Sequence, residues 1–142
     1  MREILFRGQT RRKGEKVRLD GTPVDGNWVY GGVAQFNEER AIIYQTEPEF
    51  HKFSVYADTV GQYTGLTDKN GVRIFEGDIL KSRYTGEYSD DVAIEVVKWI
   101  YNGWHTQQRD YAPDVIDDVG IMPYSEVIGN VHDNRLEAFY GR

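Results

Sequence analysis

Residues 60–80 read VGQYTGLTDKNGVRIFEGDIL. Gly65, Gly71 and Gly77 punctuate the stretch, with Asp, Asn and aromatic residues between them. Asn70-Gly71 tolerates positive φ, so it predicts a tight turn. A short strand with alternating apolar positions, Val72 to Phe75, follows. Gly77 then bends the chain or lets another backbone approach closely. Asp78, before the apolar pair Ile79-Leu80, predicts entry into a further strand, as in an SH3-like roll. The whole reads as turn, strand, kink, strand, which is the corner that a small barrel needs. The stretch is thus read as a hinge of a β fold rather than a catalytic loop.

The same spacing occurs earlier. Gly26, Tyr30 and Gly32 in DGNWVYGGV match Gly71, Phe75 and Gly77. An aromatic-x-Gly precedes each unit, at Phe6–Gly8 and Tyr63–Gly65. Two related corners are therefore expected.

Outside these units, β-branched and aromatic runs alternate with turn residues. EILF (3–6) predicts a first short strand. Asp20-Gly21 and Asp25-Gly26 are turn signals in the charged segment that follows. NWVYGGVAQF and RAIIYQT predict two strands joined by the short loop NEE. EPEFHKFSVYAD is ambiguous, because Pro48 argues against a central strand. Asn102-Gly103 fits a type I′ turn and predicts a hairpin of 92–101 with 104–109. Ile94, Val96 and Ile100 share one face of that first strand, and Val97, Trp99 and Tyr101 the other. A strand apolar on both faces is expected to be covered on both. Residues 110–125 read as a loop and EVIGNV as a last strand. DNRLEAFYGR reads as a brief helix capped by Asp133 or Asn134. No segment sustains a 3.6-residue apolar period, so the predicted class is all-β with minor helix.

The chain has 142 residues, 39% hydrophobic and 28% charged, which is globular composition. Its net charge of -6 disfavours a duplex-DNA binder without making the chain a polyanion mimic. It has no cysteine, which excludes disulfides, thiolate metal sites and cysteine nucleophiles. No apolar run is long enough to span a bilayer as a helix. ILF is too short for a secretory core, so a cytoplasmic location is expected.

Residues 60–80 closely resemble the signature block of the YopX-like proteins of phages and prophages. MREILFRGQ and DGNWVYGGV are similar to that family's amino-terminal block, and EVIGNVHDN (126–134) to its carboxy-terminal block. The blocks cover about half of the chain, in the right order. Tyr63, Gly65, Asp68, Asn70, Gly71, Phe75, Gly77 and Asp78 carry the central motif, read here as structural. The resemblance implies a mostly β protein with an SH3-type barrel, acting in the bacterial cytoplasm. It implies no activity and no catalytic residues. Segments 19–24 and 111–121 match least closely, and a function specific to this chain would sit there. The expected organisation is an amino-terminal β region (1–60) beside an SH3-like barrel (61–142), together one YopX-like unit.

The chemistry-bearing residues are sparse. Asp90-Asp91 and Asp117-Asp118 lack the spacing of a calcium loop and read as solvated turns. His51, His105 and His132 are scattered without metal-ligand spacing. Ser54, Ser82, Ser89 and Ser125 lie in no nucleophile elbow. There is no phosphate loop or dinucleotide fingerprint, and no cofactor is expected. Asp78 reads as a turn carboxylate accepting backbone N–H bonds rather than a catalytic acid. The basic cluster Arg11, Arg12, Lys13, Lys16 and Arg18 is the candidate nucleic-acid patch, because cations beside a flexible glycine can follow a phosphate backbone. A solvated hairpin explains the same cluster better. The leading expectation is a non-enzymatic accessory protein that binds a host or phage protein and forms a homo-oligomer. A single-stranded nucleic-acid binder that stacks bases on exposed aromatics is the alternative.

Overall fold

The computed structural model describes residues 3–14, 16–17, 22–23, 27–35, 37–85, 90–100, 103–108, 114–115 and 124–139. The chain is all-β. Among the described residues only Ala57–Thr59 and Leu136–Phe139 are helical, each a single 3-10 turn. The chain divides into two compact units, Met1–Tyr63 and Thr64–Arg142.

The first unit is built on β1 (Phe6–Arg11), β4 (Asn27–Gln35), β5 (Arg40–Gln45) and β6 (His51–Tyr56), hydrogen-bonded in the order β6-β5-β4-β1. Two short strands, β2 (Lys16–Val17) and β3 (Thr22–Pro23), pair with each other. All of these pairings are antiparallel. Alternation sorts the residues. Val29, Ala41, Ile43 and Val55 point to one face and form a core, with Phe6, Val33, Phe53, Ala57 and Val60 packed around it. The sheet coils strongly. A Cβ at Gly8 of β1 would stand 2.8 Å from a Val55 methyl of β6, although two strands separate β1 from β6 in the ladder. Only glycine permits that approach.

In the second unit, the end of β7 (Gly61–Thr67) leads into β8 (Arg73–Phe75). Five strands follow in a second antiparallel sheet, ordered β12-β11-β10-β9-β13. They are β9 (Asp78–Thr85), β10 (Asp90–Ile100), β11 (Gly103–Gln108), β12 (Asp114–Val115) and β13 (Ser125–Asn130). Ile74, Leu80 and Val97 make the core, with Leu66, Trp104 and Val127 against it. The expected hairpin is present: β10 pairs with β11 from Glu95↔Gln108 to Ile100↔Gly103. Ala93, Glu95, Val96 and Val97 are all buried, so the middle of β10 is covered on both faces.

Several expectations are corrected. Asp90-Asp91, read as a solvated turn, begins β10 opposite Thr85 and Tyr84, and Asp114–Val115, within the segment read as a loop, forms β12 by pairing with β11. The first strand starts at Phe6, and Leu5 contributes only its carbonyl, which accepts the Tyr63 N–H at 2.8 Å. The ambiguous segment after Pro48 is strand β6, because Pro48 lies in the preceding bend and removes no ladder hydrogen bond. The two glycine units are not equivalent corners. Gly32 lies in mid-strand opposite Tyr44, whereas Gly77 occupies a turn with φ +89°. Tyr30 is 42% exposed and Phe75 only 3%. Gly26 and the predicted turns at 20–21, 25–26 and 102–103 involve residues outside those described, as do most of segments 19–24 and 111–121.

Candidate functional site

The motif of residues 63–78 serves the fold. Asp68 is buried, and its carboxylate accepts three backbone N–H groups. Oδ1 takes those of Asn70 (2.8 Å) and Val72 (2.9 Å), and Oδ2 takes that of Val127 (2.9 Å). The Lys69 N–H also donates to the Ser125 carbonyl at 3.0 Å. The turn between β7 and β8 is thereby bolted to the edge of β13. Asp78 repeats the device on β8, accepting the Phe75 N–H on Oδ2 at 2.7 Å. Gly65, Gly71 and Gly77 all have positive φ, and Tyr63 and Phe75 are buried. Buried carboxylates that gather backbone donors hold chain segments in place.

Of the basic cluster, Arg11, Arg12 and Lys13 have described side chains. Arg11 is exposed at the end of β1, and Lys13 is exposed in the turn beyond it. Lys16 lies in β2 with its side chain outside the described residues, as is the whole of Arg18. Among the described members, Arg12 is drawn into a built site.

That site lies on the outward face of the first unit's sheet. Register places Gly32 beside Tyr44, Tyr44 beside Lys52, and Arg40 beside Tyr56. Tyr30, Tyr44, Tyr56, Arg40 and Lys52 therefore share the face opposite the core. The Tyr44 side chain lies against Gly32, where a Cβ would stand 2.4 Å from the ring. The loop before β5 is fixed by Asn37, whose Oδ1 accepts the N–H groups of Glu39 (2.8 Å) and Arg40 (2.7 Å). The Ala57 N–H donates to the Glu39 carbonyl at 2.9 Å, and the Thr59 hydroxyl donates to the Tyr56 carbonyl at 2.6 Å. These bonds set the short 57–59 turn so that Asp58 meets Arg12.

Arg12 Nη2 donates to both oxygens of Asp58, at 2.8 and 3.0 Å. Its guanidinium carbon lies 4.1 Å from the centroid of the Tyr56 ring. The Arg40 guanidinium lies over the same ring at 4.4 Å and donates from Nε to the Ser54 hydroxyl at 3.0 Å. Arg12, Glu38, Glu39, Arg40, Tyr56 and Asp58 line an open cleft of about 330 Å³. The Arg12–Asp58 pair is solvent-exposed, so it contributes about 1 kcal/mol or less to stability. Each exposed guanidinium–ring contact is of similar size, roughly 0.5–1 kcal/mol. The cluster organises a surface more than it stabilises the fold. It presents cationic planes, a tyrosine ring and carboxylates in fixed positions, and it contains no nucleophile–base pair. Among the described residues no group of three His, Asp or Glu could hold a metal.

Sequence reasoning missed Arg40, Tyr44, Tyr56 and Asp58. Alternation in RAIIYQT places Arg40 and Tyr44 on one face, which was an available signal. The partner strand was not, because HKFSVY read as ambiguous.

The model of the YopX protein family matches residues 22–137. The chain belongs to the YopX family. The crystal structure of protein EF1440 from Enterococcus faecalis is similar over 93% of this chain and 95% of that one, with 20% identity and a TM-score of 0.51. At that identity the likeness concerns the fold. A search of the curated proteins found no match. No described helix is long and apolar enough to cross a membrane.

Proposed function

We propose that this YopX-family chain is a non-enzymatic phage or prophage accessory protein. In this reading it acts in the bacterial cytoplasm and binds another protein through the outward face of its first unit. The observation that carries the reading is one sheet face bearing Tyr30, Tyr44 and Tyr56 with Arg12 and Arg40. Tyrosine and arginine are enriched at the energetic centres of protein interfaces. Rings and guanidiniums held in place before contact lose little entropy on binding. The same proposal keeps the second unit as an SH3-like roll, supported by its consecutive antiparallel strands β9, β10, β11 and β12.

One observation favours single-stranded nucleic acid as a second reading: Lys52 and Arg40 are interleaved with Tyr44 and Tyr56 on an open face. The net charge of -6 weighs against it.

A single pair of measurements separates the two. Tagged wild type and Tyr44→Ser are used for capture from host lysate, and both are titrated with labelled single-stranded DNA and RNA over a salt series. The protein-binding reading expects a specific protein with wild type that is lost with Tyr44→Ser, and no saturable nucleic-acid binding. Salt-sensitive binding of the oligonucleotide, weakened by Tyr44→Ser, would replace it with the second reading. The absence of both signals would remove this face from consideration.

A further inference from the structure

The turn between β7 and β8 holds one of the chain's two Asn-Gly pairs, Asn70-Gly71; the other is Asn102-Gly103. Asn70 and Gly71 are both exposed. Gly71 has φ +80°, and a Cβ there would meet nothing within 4 Å. With no side chain on residue 71 and open space around it, the Gly71 nitrogen can approach the side-chain amide carbon of Asn70 once the turn loosens. The folded turn opposes that approach. The Gly71 N–H donates to the Asp68 carbonyl at 3.0 Å, and the Asp68 N–H donates to the Val72 carbonyl at 2.8 Å. The Gly71 nitrogen must give up its hydrogen bond and its proton before it acts as a nucleophile. Opening of the turn is therefore the gate.

The chemistry needs only water. The Gly71 nitrogen attacks Asn70 Cγ, the Cγ–Nδ2 bond breaks, and the displaced proton leaves with Nδ2 as ammonia. Water then opens the cyclic imide at either carbonyl. Opening at the former main-chain carbonyl leaves residue 70 joined to Gly71 through its side chain. That isoaspartyl product adds one carbon to the main chain and one negative charge to the turn. The place of the added carbon decides its effect. Asp68 Oδ1 accepts the N–H groups of Asn70 and Val72, one on each side of the altered linkage. A longer linkage separates two donors that now share one oxygen. The other oxygen of the same carboxylate holds the Val127 N–H of β13. The new carboxylate also repels that of Asp68.

We propose that Asn70 is a modification site. It deamidates slowly without an enzyme, at a rate set by opening of the Asp68 turn, and its isoaspartyl product loosens the hold of that turn on β13. The inference is independent of the binding-face reading above.

The test ages the purified protein and a synthetic peptide of residues 66–74 side by side in mildly alkaline buffer. Conversion is followed by mass spectrometry of tryptic fragments. Trypsin cuts after Lys69 and Arg73, which separates Asn70 from position 68 and from Asn102. The peptide is expected to convert first, and Asn70 of the folded chain to lag by roughly tenfold or more. Asp68→Asn is expected to convert at Asn70 faster than wild type. If that variant does not fold, sub-denaturing urea on wild type takes its place and should speed conversion in the same way. In the converted fraction, amide exchange at Val127 is expected to be faster than in unconverted protein. Conversion of the folded chain at the peptide's rate overturns the inference, because the turn is then no gate. So does a chain that shows no conversion at Asn70 in either sample, or a rate that neither Asp68→Asn nor urea raises. Val127 exchange left unchanged by conversion overturns it as well.

Discussion

Asp68 shows how one side chain can carry a motif. Its two oxygens hold donors from the turn that follows it and from β13, 59 positions away. Hydrogen bonds to a charged acceptor are worth about 1.5–3 kcal/mol each, and a buried donor left without a partner costs a similar amount. In Asp68→Asn the carbonyl oxygen can keep Asn70 and Val72, but an NH₂ group then faces the Val127 N–H. The expected loss is about 2–3 kcal/mol in urea unfolding, with faster amide exchange at Val127 than at Asn70. An unchanged urea midpoint would show that the carboxylate is dispensable. Sequence reading singled out Asp78 as a turn carboxylate and Asp68 as part of the family motif. It could not show that Asp68 also reaches β13, because nothing in the local pattern encodes a partner so distant.

At the scale of the element, β9 and β13 meet through a hydroxyl pair. Ser82 and Ser125 face each other in register, are fully buried, and stand 2.6 Å apart at Oγ. Removing one hydroxyl leaves the other buried without that partner, whereas removing both leaves no polar group to satisfy. Ser82→Ala and Ser125→Ala should each destabilise by about 1–2 kcal/mol, and the double variant by less than their sum. Strict additivity in thermal or urea unfolding would contradict this pairing. The strands themselves were legible from β-branched runs and turn signals, down to the 92–109 hairpin. Strand β6 was not, because Pro48 and the polar residues around it obscure the alternation of Phe53 and Val55. Its burial comes from the coiled sheet around it, with Val55 against Gly8.

At the scale of the whole molecule, two apolar clusters stand out among the described residues. One contains Ile43 and the other Leu80, and they share no member. Both residues are fully buried, so truncation to alanine costs about 2–5 kcal/mol at each site. With no shared neighbour in either cluster, the two losses should add to within about 0.5 kcal/mol in a double variant still folded at low denaturant. A larger deviation would show that the two clusters are energetically coupled. The all-β class and the family were readable without coordinates, because period-2 alternation and glycine-centred turns are local properties of a chain. The division of labour between the two glycine units was not, since identical spacings became a mid-strand approach at Gly32 and a turn at Gly77. Within the basic run at 11–18, proximity in sequence says nothing about the direction of any one side chain. Only the tertiary structure turned Arg12 toward Asp58 and Tyr56 and set Arg40 on the same ring. Those contacts depend on which strand lies beside which, and register is decided by the burial of a whole face rather than by any short stretch of residues.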